Sequence, residues 1–256
     1  MRGALPRAIL VVGLAGLVLA AAGAYALTAT VGNSRISATA SVLPRELPEH
    51  RNAPAKLTSI TRVSTLDGSL PPPLTRLEFQ LDKHGSVDTR GLPVCTMAKL
   101  AETTPAEARK RCAGALVGKG TGKARVQLPG QAPTQISSPL SFFNAPPVDG
   151  RPTLIAHGYE TVPTPKTLLV PIVIERVSHG RYGYRVRIEM PEIAGGYGSA
   201  ILAEATVGTT FRRAGRTVGY VNARCEGGRL QVDGRAHFAN GDLFPATLSS
   251  ACHPPH

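Results

Sequence analysis

The segment Arg35-Ile36-Ser37-Ala38-Thr39-Ala40-Ser41-Val42 alternates between polar and apolar residues along its whole length. Because successive side chains of a β-strand point to opposite faces, this alternation predicts a strand with one buried face. We therefore predict that the folded domain begins near Ser34, with residues 27–33 forming a short linker before it. Residues 44–54 contain three prolines and are predicted to connect this strand to the next one.

Similar segments recur along the rest of the chain, separated by turn signals such as Gly227-Gly228 and Asn240-Gly241. They occupy residues 76–82, 123–128, 184–190, 200–211, 217–223, 230–238 and 243–248, and a further strand is predicted at residues 167–177, which are nearly continuously apolar. Residues 178–181, between two of these segments, have the composition of a hairpin turn. The sequence has no internal repeat, which argues against propellers and solenoids. We predict a mostly β fold, an antiparallel β-sandwich or jelly-roll-like domain over residues 34–256.

One short helix is predicted, because Thr104-Pro105-Ala106-Glu107 matches a capping box with proline at the first helical position. The helix is expected to cover residues 106–116 and to end at Gly118. The glycine-rich residues 118–124 are then predicted to form a flexible turn into the next strand. They do not match a phosphate-binding loop, because Val117 and Ala124 replace its first glycine and its Ser/Thr.

The N-terminus has the three parts of a secretory signal peptide. Arg2 and Arg7 are positively charged, residues 8–21 are apolar, and residues 22–24 and 24–26 both fit the A-x-A cleavage pattern. We predict a signal peptide over residues 1–26, cleaved after Ala26, with Ala24 as the second choice. The alternative is an uncleaved anchor, because residues 8–27 are just long enough to span a bilayer. Either way, the sequence predicts a secreted or extracytoplasmic protein, tethered to the cell membrane if the segment is retained.

The cysteine content agrees with export. Cys95, Cys112, Cys225 and Cys252 allow three pairings in an oxidising compartment. We favour Cys95–Cys112 and Cys225–Cys252, because these pairs close the shortest loops. The first bridge would tether the predicted helix to residues 91–93. No C-x₂-C or H-x₃-H spacing occurs, so no metal site is predicted, and no motif indicates a cofactor.

The motifs Gly91-Leu92-Pro93-x-Cys95 and Cys112-x-x-Ala115-Leu116-Val117-Gly118-x-Gly120 occur together with Phe143-Asn144 and a C-terminal cysteine pair. In this combination the chain resembles an uncharacterised family of exported actinobacterial β-rich proteins with four cysteines. The similarity covers residues 35–252. It implies export and a single domain, and it brings no activity, ligand or site residue with it.

Arginine carries the basic excess of the chain. The formal net charge is +12, and 22 arginines stand against seven lysines. Arg181, Arg185 and Arg187 lie on the polar face of one predicted hairpin, and residues 212, 213 and 216 form a second arginine group. Guanidinium groups bind phosphate in bidentate fashion, so Arg181, Arg185 and Arg187 are the candidate site for an anionic envelope polymer or lipid headgroups. The alternative is an ordinary solvated face, and nucleic acid is not predicted as a partner because stacking aromatic residues are not interleaved with the charge.

No linear catalytic motif is present, since neither G-x-S-x-G nor H-E-x-x-H occurs. His157 is the first candidate for a catalytic group, because it follows an apolar run and precedes a glycine. We therefore predict a non-catalytic secreted or cell-envelope protein. The alternative is a secreted hydrolase whose His157, a serine and a carboxylate meet in a cleft at the strand ends.

Overall fold

The computed structural model describes residues 26–255, so all of the predicted signal peptide except Ala26 lies outside the described residues. Two short helices, α1 (Met97–Leu100) and α2 (Pro105–Arg111), accompany sixteen strands. The strands are β1 (Ala26–Val31), β2 (Ser34–Leu43), β3 (Ala53–Thr65), β4 (Leu74–Asp82), β5 (Gly85–Val87), β6 (Leu116–Val126), β7 (Thr134–Val148), β8 (Arg151–Glu160), β9 (Lys166–His179), β10 (Tyr182–Glu189), β11 (Gly198–Val207), β12 (Thr210–Arg213), β13 (Arg216–Gly219), β14 (Val221–Ala223), β15 (Arg229–Phe238) and β16 (Leu243–Ala251). The predicted mostly β fold with a short helix is confirmed.

Twelve strands follow one another in a single antiparallel sheet. Their order is β1-β2-β3-β11-β6-β7-β8-β9-β10-β4-β15-β16, with β5 and β14 attached beside β3, while β12 and β13 form a separate hairpin. The sheet curls until its last strand lies against its second. At this seam the Val42 amide donates to Ser250 Oγ at 3.0 Å, and the Leu47 amide donates to the His253 carbonyl at 2.9 Å. The sheet is therefore nearly closed.

Apolar residues from opposite parts of the sheet meet on its inside. The larger cluster contains Phe142, Leu154, Ile172, Ile174, Val186 and Tyr220. In a second cluster, Ile36 and Val63 from β2 and β3 pack against Phe238 and Phe244 from β15 and β16. The two phenylalanine rings stack edge to face with centroids 5.3 Å apart. Strands from the two ends of the sheet therefore bury apolar side chains against each other, and this burial stabilises the curled shape of the sheet.

The first strand begins earlier than the sequence predicts. Residues 27–33 are not a linker, because β1 pairs with β2 along its whole length, from Ala26 opposite Thr39 to Val31 opposite Ser34. Only Gly32 and Asn33 form the turn between the two strands. Small and hydroxylated residues give β1 a weak alternation pattern, so its pairing with β2 is what selects the strand.

The predicted helix is shorter than expected, and the glycine-rich segment after it is not a turn. The capping box at Thr104 and Glu107 is present, but α2 ends at Arg111 and residues 113–115 form a single 3₁₀ turn. Strand β6 then starts at Leu116 and includes Gly118, Gly120 and Gly122. A Cβ atom on Gly120 would overlap the Glu204 backbone, so the close approach of β11 requires glycine there.

Both predicted disulfides are confirmed, Cys95–Cys112 and Cys225–Cys252. Cys95–Cys112 joins the segment before α1 to the end of α2, and both helices pack over Phe143 and Ile155 on the outside of the sheet. Two such bridges are typical of a protein from an oxidising, extracytoplasmic compartment. Among the helices that the structure describes, none is long and apolar enough to cross a membrane.

Candidate functional site

The predicted arginine face on β10 exists, but carboxylates share it. Arg185 and Arg187 are exposed neighbours on the outer face of the sheet. Arg187 Nε donates to Glu78 Oε1 at 3.2 Å, and Arg76 Nε lies 3.3 Å from the same oxygen. Opposite Arg185 on β9 is Glu175, which pairs with Arg151. This part of the surface is consequently a mixed network of charges and not a basic patch.

Arg181 contacts different groups from Arg185 and Arg187. Its Nη1 donates to Gln231 Oε1 at 2.7 Å, and its Nη2 lies 3.5 Å from Asp82 Oδ2. Asp82 is buried and also accepts from the backbone amides of His84 and Gln231, at 3.1 Å each. The guanidinium of Arg181 therefore belongs to a structural cluster around a buried carboxylate.

The second arginine group is also neutralised in part. Arg213 donates both Nη atoms to the carboxylate of Asp88, at 3.0 and 2.8 Å, and Arg90 donates to the same carboxylate. These guanidinium groups hold the pKa of Asp88 well below its usual range. Arg212 donates to the Gly215 carbonyl within the hairpin turn. The Asp88 contacts fasten the β12–β13 hairpin to the loop after β5.

The uncompensated positive charge lies on the other half of the sheet. The six consecutive strands β1, β2, β3, β11, β6 and β7 contain six cationic residues and a single acidic one, Glu204. The six remaining strands of the sheet contain eight cationic and six acidic residues. We call the outer surface of the first half the basic face, which is defined by Arg35, Lys56, Arg62, Lys119, Lys123 and Arg125.

Strand register places these cations among hydroxyl groups. Arg62 and Lys123 both lie opposite Leu202, one on each neighbouring strand. Further along β6, Lys119 lies opposite Thr206 on β11. The hydroxyl of Thr206 is 3.3 Å from the hydroxyl of Thr58 on β3. Further hydroxyls on the same outer surface come from Ser37, Thr39, Ser41, Ser64 and Thr121. Ammonium, guanidinium and hydroxyl groups are all donors to phosphate oxygens.

One end of the basic face is concave. A cleft of about 350 Å³ lies between Arg35, Arg62 and Arg125, and we call it the arginine cleft. Arg125 Nη1 donates to the carbonyls of Gly68 and Ser69, at 2.9 and 3.2 Å. Arg62 makes a loose contact of 3.7 Å with Glu204, and both side chains are largely exposed. Within residues 26–255 the Arg35 side chain has no hydrogen bond or ion pair, so it is available to a ligand.

The basic face was not predicted from the sequence, because its cationic residues are not clustered along the chain. The cationic residues of the basic face come from three strands, and Arg35 and Arg125 are ninety positions apart. A signal was nevertheless available, since the alternating segment at 35–42 and the glycine-rich segment at 118–124 both contain basic residues without an acidic one.

His157 is not in a cleft. It is fully buried beneath the loop between α1 and α2, where its Nε2 lies 3.0 Å from Thr103 Oγ1 and 3.1 Å from the Thr103 carbonyl. Ser141 is its cross-strand partner, and it is buried as well. In the described part of the chain no hydrogen bond joins the two and no carboxylate contacts the ring. This arrangement fastens the disulfide-linked helices to the sheet.

Burial lowers the pKa of His157, because the charged imidazolium is poorly solvated there. The unfolded chain therefore binds a proton more readily than the folded chain does. This contribution to stability is complete above about pH 6.5 and is lost as the pH falls below it.

We expect wild type to lose up to about 1 kcal/mol more than His157→Gln in unfolding free energy between about pH 7.5 and pH 5.5. Urea unfolding of both proteins across that range measures the difference. Parallel pH profiles would contradict the assignment of this slope to His157.

Searches with the chain matched no family model, no curated protein and no solved structure.

Proposed function

We propose that this protein is a non-catalytic, secreted or cell-envelope protein that binds a phosphate-bearing anionic surface through the basic face. The observation that carries the proposal is the separation of charge between the two halves of one sheet. Six cations with one carboxylate on six adjacent strands produce a positive field over a broad surface. We therefore place the anion-binding site on the basic face, in the half of the sheet opposite Arg181, Arg185 and Arg187.

The chemistry of the basic face favours phosphate over other anions. Guanidinium groups form paired hydrogen bonds with phosphate oxygens, and the surrounding serine and threonine hydroxyls supply further donors. Two disulfides and the apolar N-terminal segment support an extracytoplasmic setting for such a ligand.

The test is a pair of variants that remove equal charge from the two halves of the sheet. R62Q/K119Q/K123Q removes three cations from the basic face. R185Q/R187Q/R235Q removes three from the outer surface of the other half, where Arg235 lies opposite Glu78. At about 1 kcal/mol for each cation near an anionic surface, the first variant is expected to bind about a hundredfold more weakly. The second is expected to stay within about threefold of wild type, because nearby carboxylates already offset its cations.

Binding is measured by cosedimentation with phosphatidylglycerol vesicles and by titration with soluble polyphosphate, each at low and high salt. These two probes separate a lipid headgroup from a polymer as the source of phosphate. Added salt is expected to weaken binding, since exposed charges are screened. Equal losses for the two variants, or binding that salt does not change, would contradict the proposal.

A further inference from the structure

The arginine cleft differs from the rest of the basic face in its floor and its rim. The floor is formed by the buried Pro71 and the half-buried Ile201. The three guanidinium groups stand around it. A site with a cationic rim and an apolar floor suits an anion that carries an apolar part, because each portion meets matching chemistry.

The turns beside the cleft expose aliphatic side chains. Val31 ends β1 and is 38% exposed, and Leu66 follows β3 and is 56% exposed. The two turns are joined, since the Leu66 amide donates to the Asn33 carbonyl at 2.9 Å. Two apolar side chains on joined turns next to a cationic cleft form the combination that interfacial membrane binding requires.

The cleft is held in shape before any ligand arrives. Arg125 fixes the loop after β3 through the carbonyls of Gly68 and Ser69, and Thr65 Oγ1 donates to the Ser69 carbonyl at 2.7 Å. Asp67 accepts from the Ser69 amide at 2.9 Å in the same loop. Two acidic groups lie near the cleft. Asp67 is in the loop, and Glu204 makes a loose contact with Arg62. Three cations against these two leave the cleft positive.

Resting on the proposed function, we infer that the arginine cleft binds the phosphate of an anionic phospholipid while Val31 and Leu66 enter the interfacial region of the bilayer. Arg35, Arg62 and Arg125 would contact the phosphate oxygens. The apolar floor would lie against the glycerol and the first methylenes of the lipid. Lys119 and Lys123 would add long-range attraction to the same surface without contacting this phosphate.

The decisive experiment compares two double variants with the same change in charge. R35Q/R62Q alters the cleft, and K119Q/K123Q alters the basic face outside it. All four side chains project outward, so melting temperatures are expected to stay near that of wild type. Partition onto vesicles of phosphatidylglycerol and phosphatidylcholine should fall at least fivefold further for R35Q/R62Q than for K119Q/K123Q.

A third variant, V31S/L66S, identifies the source of the phosphate. It is expected to lower partition onto the same vesicles about tenfold, because the apolar contribution is lost, and to leave polyphosphate binding unchanged. Vesicle binding that is insensitive to V31S/L66S would overturn the lipid assignment. Equal losses for the two double variants would overturn the cleft while leaving the proposed function in place. Failure of the wild type to bind either probe would overturn both.

Discussion

Replacing Cys225 and Cys252 together with alanine is expected to lower the free energy of unfolding by about 3.5 kcal/mol. The bridge closes a loop with a sequence separation of 27, and releasing it returns conformational entropy to the unfolded chain. Both cysteines are also buried in a cluster with Leu47, Ala55 and Leu230. Their removal therefore costs packing as well as the constraint on the unfolded chain.

The effect should be concentrated at the seam of the sheet. Cys252 lies one residue beyond β16, next to the point where the Leu47 amide bonds to His253. Urea unfolding measures the change in stability, and hydrogen exchange at the Val42 and Leu47 amides measures loosening of the seam. The matched variant C95A/C112A should lose about 3 kcal/mol without faster exchange at these amides. A loss below about 1 kcal/mol in C225A/C252A would show that the bridge does not secure the closure.

Asp82→Ala is expected to destabilise the protein by about 3 kcal/mol. Its carboxylate is 4% exposed and connects three parts of the sheet. It accepts from the amides of His84 and Gln231, lies 3.0 Å from His84 Nδ1, and pairs with Arg181. Removing it leaves the amides of His84 and Gln231 without their acceptor and takes away the carboxylate beside the His84 ring and the Arg181 guanidinium.

The control for Asp82→Ala is Asp149→Asn, because the left-handed φ of 49° at Asp149 is tolerated by asparagine but not by alanine. Asp149 also pairs with an arginine, Arg151, but its side chain is 80% exposed. Exposed pairs contribute about 0–1 kcal/mol, so this substitution should have a small effect. Thermal and urea unfolding of both variants make the comparison. Equal and small changes for the two would show that the Asp82 cluster contributes no more than a surface ion pair.

The strands were predictable because polar and apolar residues alternate along most of them. The segment at 35–42 became β2, and residues 230–238 became most of β15. The cysteine pairing was predictable from loop length alone. These features are local, in the sense that a short window of sequence contains their physical cause.

Features that depend on partners distant in sequence were not predictable. The glycines at 118, 120 and 122 have the composition of a turn, and only the close approach of β11 explains why they lie in β6. Helix α2 stops at Arg111, and Leu116, the last residue of the predicted helix, instead begins β6 opposite Phe143. Local propensity is overridden in both cases by strand pairing.

The proposed binding surface depends even more strongly on the topology. The arginines that were prominent in the sequence, at 185 and 187, meet Glu78 and Glu175 across neighbouring strands. The basic face arises because β11 joins β3 to β6, although the three are far apart in the chain. Strand order decides which charges become neighbours, and the sequence contains no short-range signal for that order.

Lysine protection provides the most direct test of the basic face. All seven lysines lie in the described residues, with Lys56, Lys119 and Lys123 on the basic face and Lys83, Lys99, Lys110 and Lys166 elsewhere. The folded protein is acetylated with and without phosphatidylglycerol vesicles, and modification at each lysine is quantified by mass spectrometry. We predict that vesicles protect Lys56, Lys119 and Lys123 and leave the other four unchanged. Equal protection of all seven, or protection confined to the other four, would contradict it.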